Sequence, residues 1–355
     1  MATLDETMNG RLPGIREDLT NWWNHGPQDR PLLLITTDSR PLPELTGDAL
    51  ERWWTDVPAA LEWRMKNLDE QHYFGAAVPC HYIDLGASAM PAVMGCPMEY
   101  VNADTIWAHP ACADLDEALE FPLLTGNRYH AILRALTEGS LARAPGHHFV
   151  TPWALGGVTD NAAALYGTEN LLMDMLEDPE KVARLLERVS DFWMACWEEF
   201  QGLLRASESR SGIGWCGVWA PGSTFPLQED FSYMISAGLF REFCVPHITR
   251  FARAMDCPMY HLDGADALKH LDAILGIPEI KAIQWQPGAG RERLDQWGDV
   301  IRKILDAGKS LQLYAAPDEI PWLMKSFHPR GLAAVVLGAD RDQARALMRG
   351  GVGRV

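Results

Sequence analysis

The chain of 355 residues lacks three things that would have placed it in a familiar class at once: paired cysteines, an excess of positive charge and long apolar runs. Its seven cysteines, at positions 80, 96, 112, 196, 216, 244 and 257, are odd in number, widely spaced and without a CxxC pair. That pattern is expected of reduced thiols in a cytoplasmic protein. Lysine and arginine total 31 against 48 aspartates and glutamates, a formal charge of −17. A diffuse negative field repels polyanions, which argues against nucleic acid or an anionic membrane surface as the main partner and for a small-molecule ligand. No N-terminal apolar run resembles a signal peptide, and no stretch of about 18 apolar residues would span a bilayer, so a soluble chain is expected. Internal repeats, low-complexity segments and long linkers are also missing, and residues 1–355 read as one domain.

What is present is a 47% hydrophobic composition, enough for a large core. Eight apolar runs read as strands: residues 31–37, 73–79, 148–153, 212–219, 258–262, 281–285, 310–314 and 333–338. Helical periodicity separates them over 47–68, 179–204, 239–254, 292–307 and 341–348, with an amphipathic segment at 12–23 leading the chain. Eight strands interleaved with helices favour a single (β/α)₈ barrel with an N-terminal helical extension. About 65 residues part the second and third runs, which predicts a long inserted segment there, with a hairpin and lid-like loops.

In such a barrel the C-terminal ends of the strands carry the chemistry. Two stretches stand out, Met259-Tyr260-His261-Leu262-Asp263-Gly264 and Ile283-Gln284-Trp285-Gln286-Pro287-Gly288, each an apolar run that ends in hydrogen-bonding side chains. Reading all the exits adds Asp38 and Arg40, Cys80 and His81, Trp153, then Trp215, Cys216 and Trp219, and finally Tyr314 and Asp340. Each has a plainer reading. His261 is either a cavity group or a hydrogen-bonded core histidine, and Asp263 either a catalytic acid or the cap of the helix that follows. Cys216 is more often a small buried hydrophobe than a ligand. Gln284 and Gln286 share a strand face and point to substrate binding, with a structural hydrogen-bond layer as the alternative. Cys80 and His81 are adjacent on a strand and face opposite ways, which argues against a nucleophile and base pair, and His147-His148 falls at the opposite rim. Of Trp153, Trp215, Trp219 and Trp285, at least two are expected to wall the cavity.

The chain resembles the uroporphyrinogen decarboxylase superfamily, through Tyr166-Gly167-Thr168-Glu169-Asn170-Leu171-Leu172 with Asp178-Pro179-Glu180, through Gln228 to Ser236, and through His261-Leu262-Asp263-Gly264 and Gln284-Trp285. The resemblance implies a (β/α)₈ barrel and either porphyrinogen decarboxylation or zinc-dependent methyl transfer involving corrinoid proteins; relatives of this kind are often homodimers. The arginine-rich segment after the first strand of the decarboxylases is reduced here to Asp38 and Arg40, too few cations for a substrate with many carboxylates. The methyltransferases' His-x-Cys and final Cys correspond to His261, Asp263 and Ala339. A zinc site would therefore need His261, Asp263 and Cys216, and its harder ligand set would suit an oxygenated substrate better than a thiol.

The leading expectation is a methyltransferase-type enzyme that demethylates a small methylated compound. Its acceptor would be a separate corrinoid protein or a folate. His261 and Asp263 would be catalytic or metal-holding, with Asp38, Arg40, His81, Trp153, Trp219, Gln284, Gln286 and Tyr314 at the substrate. The alternatives are a decarboxylase that needs no bound cofactor and acts on a smaller carboxylate, and a barrel that binds a ligand or partner without catalysis.

Overall fold

The computed structural model describes residues 8–123, 126–205, 212–288, 290 and 293–350. Its strands are β1 (Leu32–Thr37), β2 (His72–Gly75), β3 (Cys80–Tyr82), β4 (Met98–Tyr100), β5 (Ile106–Ala108), β6 (Phe149–Thr151), β7 (Pro226–Leu227), β8 (Met259–Asp263), β9 (Ala282–Gln286), β10 (Ser310–Ala315) and β11 (Leu332–Val336). A seven-stranded sheet runs β2-β1-β11-β10-β9-β8-β7, parallel throughout except for β2 at its edge. β3 and β6 form a separate parallel pair, and β4 with β5 an antiparallel hairpin. With its many helices this is a barrel-like α/β fold, and no described helix is long and apolar enough to cross a membrane.

The period-2 geometry of these strands sorts their side chains into two buried clusters. Tyr260, Leu262, Ile283, Trp285, Leu311 and Leu313 face the helices. Leu32, Leu34, Met259, Ala282 and Ala333 face the other way, against Leu19, Trp22 and Trp23 of the helix Leu12–Trp23. Because Leu32, Met259 and Ala282 stand at or next to the start of their strands, that helix closes the N-terminal end of the sheet. The Trp22 carbonyl accepts a hydrogen bond from Ser310 at the start of β10.

On the outer side, the helix Pro179–Leu204 starts at Asp178, whose carboxylate accepts from the Lys181 N–H at 3.3 Å, with proline in the first turn. It buries Leu185, Val189, Trp193, Cys196 and Phe200 at helical spacing. Trp193 stacks on Phe251 with centroids 3.9 Å apart, and Trp153 meets Phe200 edge-on.

Two of the expected strands are displaced. Residues 73–79 contain only β2, which runs antiparallel to β1. The parallel strand of that unit is β3, beyond Pro79. The chain turns at Gly75, whose φ of +63° and close approach to the Leu33 carbonyl leave no room for a Cβ. Residues 212–219 form no strand beyond an isolated bridge between Ile213 and Trp219. Gly214 and Gly217 close a turn there, with Gly217 at φ +74°, and the strand is β7. Cys216 and Trp219 consequently lie not at a strand exit but in the cluster formed with the N-terminal helix, where the Trp23 indole donates to the Trp219 carbonyl at 2.9 Å.

No ladder of hydrogen bonds joins β6 to β7 among the described residues. Side chains bridge that break instead. Asp160 accepts from the backbone N–H groups of Gly157, Asp230 and Phe231 at 3.1, 3.0 and 2.5 Å. In return, Glu229 accepts from Val158 and Thr159 N–H at 2.9 and 3.0 Å and from the Thr159 hydroxyl. Glu229 thereby satisfies the orphan donors at the N-terminus of the helix Val158–Tyr166 from a neighbouring loop. A Cβ on Gly157 would collide with both carboxylates and with the Gln228 carbonyl.

Removing this latch strands buried donors, each costing about 1–3 kcal/mol. Glu229→Ala should therefore lose about 3 kcal/mol in urea unfolding, and Glu229→Gln, which keeps an acceptor, less than half of that. Equal stability of Glu229→Ala and the parent chain would contradict the latch.

Candidate functional site

Helix and loop fill the strand interior from the N-terminal end, and the open space lies at the C-terminal exits on one side of the fold. A cavity of about 910 Å³ is lined by residues that follow β3, β6, β7, β8 and β9 and by the β4–β5 hairpin. That volume suits a small-molecule site. Its acids are Asp160, Asp230, Asp263 and Asp266, Ser88, Asn161, Thr168 and Gln228 add neutral polar groups, and Trp107, Phe231 and Tyr233 supply aromatic wall. Among the described lining residues there is no lysine or arginine.

Local structure explains how the acids arrive there. Asp263 is the last residue of β8 and stays accessible, paired in register with Gln286 on β9. Gly264 follows at φ +80°, turning the chain sharply away from the strand. Asp230 opens a 3₁₀ turn, Asp230–Met234, and accepts from the Gln228 amide at 2.7 Å. It is exposed on the cavity wall, with protein crowded around its carboxyl. Burial and the Asp263 charge push its carboxyl up to about 6. Burial pushes Asp160 up to about 7 and Glu229 up to about 8; the Asp230 charge adds to the first and the Asp160 charge to the second, while the N–H donors pull both back down. Asp160 and Glu229 are thus structural carboxyls, and Asp230, Asp263 and Asp266 are the wall acids exposed to a ligand.

Beneath Asp263 on the same face of β8, His261 is buried. Its Nδ1 is hydrogen-bonded to the Gln284 Oε1, whose own amide nitrogen donates to the Trp285 carbonyl at 3.2 Å. That arrangement puts the proton on Nδ1 and leaves the Nε2 lone pair available. Burial lowers the histidine below its ordinary value, opposed by the Gln284 bond and by the charges of Asp263 and Asp160. The indole of Trp215 packs edge-on against the ring, with centroids 4.8 Å apart. Burial and the neighbouring Cys216 raise the Tyr314 phenol, which is hydrogen-bonded to that cysteine. His261, Gln284, Tyr314, Trp215 and Cys216 form a buried polar layer under the cavity.

The remaining expected residues lie elsewhere. Asp38, at φ +62°, accepts from Arg341 at 2.7 Å and from Thr37 at 2.6 Å, and these bonds hold its carboxyl below the usual range. Arg40 pairs with Glu70 at 2.9 Å. His81 faces the helices, its Nδ1 2.8 Å from the Ser140 hydroxyl, which also meets His148 at 2.9 Å. None of these, nor Trp153, Trp219, Gln284, Gln286 or Tyr314, is on the cavity wall. Of the four strand tryptophans, at least two of them expected to wall it, none lines this cavity; Trp107 of the inserted hairpin does. The expected zinc donors do not assemble either. No three His, Cys, Asp or Glu side chains converge to hold a metal among the described residues, and Cys216 is hydrogen-bonded to Tyr314.

Sequence reasoning missed Asp160, Glu229, Asp230, Trp107 and Tyr233 as site residues. The run Gln228-Glu229-Asp230 has the same form as the exits of β8 and β9, polar groups straight after a buried strand, but placing the fourth strand at 212–219 hid it.

A raised carboxyl makes stability fall as pH rises. The folded chain keeps the Asp230 proton up to about pH 6, whereas the unfolded chain releases it near the ordinary aspartate value of 3.8. Asp230→Asn removes that loss. Its melting temperature should equal the parent's near pH 4 and exceed it by about 1–3 °C at pH 7.5. A variant less stable at pH 7.5 than at pH 4, relative to the parent, would show that Asp230 is not repelled in the fold.

No family model matches the sequence, and no curated protein is similar to it. Among solved structures, a methyltransferase from Methanosarcina mazei superposes with a TM-score of 0.63 at 10% identity, covering 95% of this chain and 98% of that one, a likeness of fold.

Proposed function

We propose that the chain is an enzyme of the methyltransferase type, distantly related to the uroporphyrinogen decarboxylase superfamily, whose strands complete a (β/α)₈ barrel. It would take the methyl group from a small methylated compound held in the C-terminal cavity and pass it to an acceptor supplied from outside, a corrinoid on a separate protein or a folate. The observation that carries this reading is the cavity itself, sized for a small molecule and furnished at the β7 and β8 exits with two accessible carboxyls, Asp230 and Asp263. The likeness of fold to a methyltransferase supports it.

In such a transfer the acceptor's nucleophile bonds to the methyl carbon while the heteroatom that held the methyl keeps the bonding pair. The departing atom must then gain a proton or already carry positive charge. Asp230, pushed up to about 6, holds a proton in a minor fraction near neutrality, which serves the first case, and is mostly a carboxylate there, which serves the second. His261 sits below, with its imidazole fixed by Gln284, and orients the β8 exit. Decarboxylation of a polyanion is disfavoured by a wall whose described charged residues are all acidic.

The test is transfer from methyl-labelled methoxy and methylammonium compounds to reduced cobalamin or tetrahydrofolate, followed by absorbance and NMR. Enzyme-dependent methylation of one acceptor is expected, slowed by about 100-fold in Asp263→Asn. Carbon dioxide release from a small carboxylic acid, with no methyl transfer to either acceptor, would overturn the reading.

A further inference from the structure

We infer that the cavity recognises an organic cation, and that the compound it takes is a methylated ammonium. This rests on the reading of the cavity as the substrate site. Three features of the cavity point the same way. Asp230, Asp263 and Asp266 are exposed acids on its wall, and the charge of Asp263 bears directly on Asp230. The described wall places no lysine or arginine between them. On the rim, Trp107 and Tyr233 come from different parts of the chain, the inserted hairpin and the 3₁₀ turn after β7, and are 61% and 55% exposed.

Exposed large aromatics and carboxylates on one cavity wall are the residue types that bind quaternary ammonium groups: ring faces attract the charge and exclude water, and carboxylates supply the countercharge. A neutral methyl ether would leave two facing acids uncompensated, and an anion would be repelled. Phe231 and Met234 add apolar surface for the methyl groups.

The chemistry of transfer is compatible with this ligand. As the acceptor's nucleophile bonds to the methyl carbon, the C–N bond breaks and its pair stays on nitrogen. The nitrogen then leaves as a neutral amine and requires no proton.

Titration calorimetry on the full chain at pH 7.5 and low salt compares choline and tetramethylammonium with 3,3-dimethylbutan-1-ol, the uncharged carbon isostere of choline. The expected result is choline binding at least tenfold tighter than the isostere. Asp230→Asn and Asp263→Asn should each reduce choline affinity about tenfold and leave the isostere unchanged, and Trp107→Leu should reduce it several-fold. Melting curves confirm that each variant is folded. Equal binding of choline and its isostere, or no binding of either cation below 10 mM (about 3 kcal/mol at most), overturns the inference. If methyl transfer from a methoxy compound is then observed, the enzymatic reading stands and the cation assignment alone fails. Selective choline binding without transfer from any methylated compound fails the enzymatic reading and keeps the cation site.

Discussion

The reciprocal bridge of Asp160 and Glu229 is the constraint on which the rest of the molecule depends. Parallel strands normally hold their neighbours by a backbone ladder, and here the ladder stops between β6 and β7. Two buried carboxylates replace it, each accepting backbone N–H groups from the loop that carries the other. A carboxylate offers several acceptor sites and tolerates backbone geometries that a ladder does not. It can therefore span a break that leaves room for a cavity. The same device recurs at the exits of β9 and β10, where buried Glu319 accepts from Leu294 and Ala316 N–H at 2.7 and 2.9 Å.

This way of joining strands has an electrostatic consequence. The bridge fixes the loop after β7, so Asp230 is set on the cavity wall opposite Asp263, within reach of its charge and without a lysine or arginine among the described neighbours. Like charges held together in a partly dehydrated space store free energy that a ligand of opposite charge releases. The N-terminal helix and the loop 212–220 contribute from the other end, packing Trp22, Trp23 and Trp219 against the strand starts, while the large cavity lies at the exits. Stability and binding are thus divided between the two ends of the same strands.

Much of this arrangement is legible in the sequence. The runs at 31–37, 258–262, 281–285, 310–314 and 333–338 are continuous apolar stretches of β-rich composition, and the structure has strands there because burial on both faces leaves them no alternative. The alternation in His261-Leu262-Asp263 and Gln284-Trp285-Gln286 correctly separates the polar face from the buried one. Residues 212–219 mislead because tryptophan, valine and isoleucine are strand formers, whereas Gly214 and Gly217 and the demand for a plug against the N-terminal helix decide the conformation. β7 has only two residues, too short to show a period. With β7 unseen, Glu229 and Asp230 had no exit to belong to. The role of Trp107 is set by a hairpin folding over a cavity built from distant exits, which no local pattern encodes.

The central claim is that Asp230 is held at high proton affinity by burial and by the facing charge of Asp263. Carbon-13 NMR titration of aspartate carboxyls, with the Asp230 signal assigned by its loss in Asp230→Asn, measures this directly. The account predicts a midpoint of about 6 for Asp230 in the parent chain, moving part of the way down towards the ordinary aspartate value of 3.8 when Asp263 is replaced by asparagine. A midpoint near 3.8 in the parent chain, unchanged by that replacement, would contradict it.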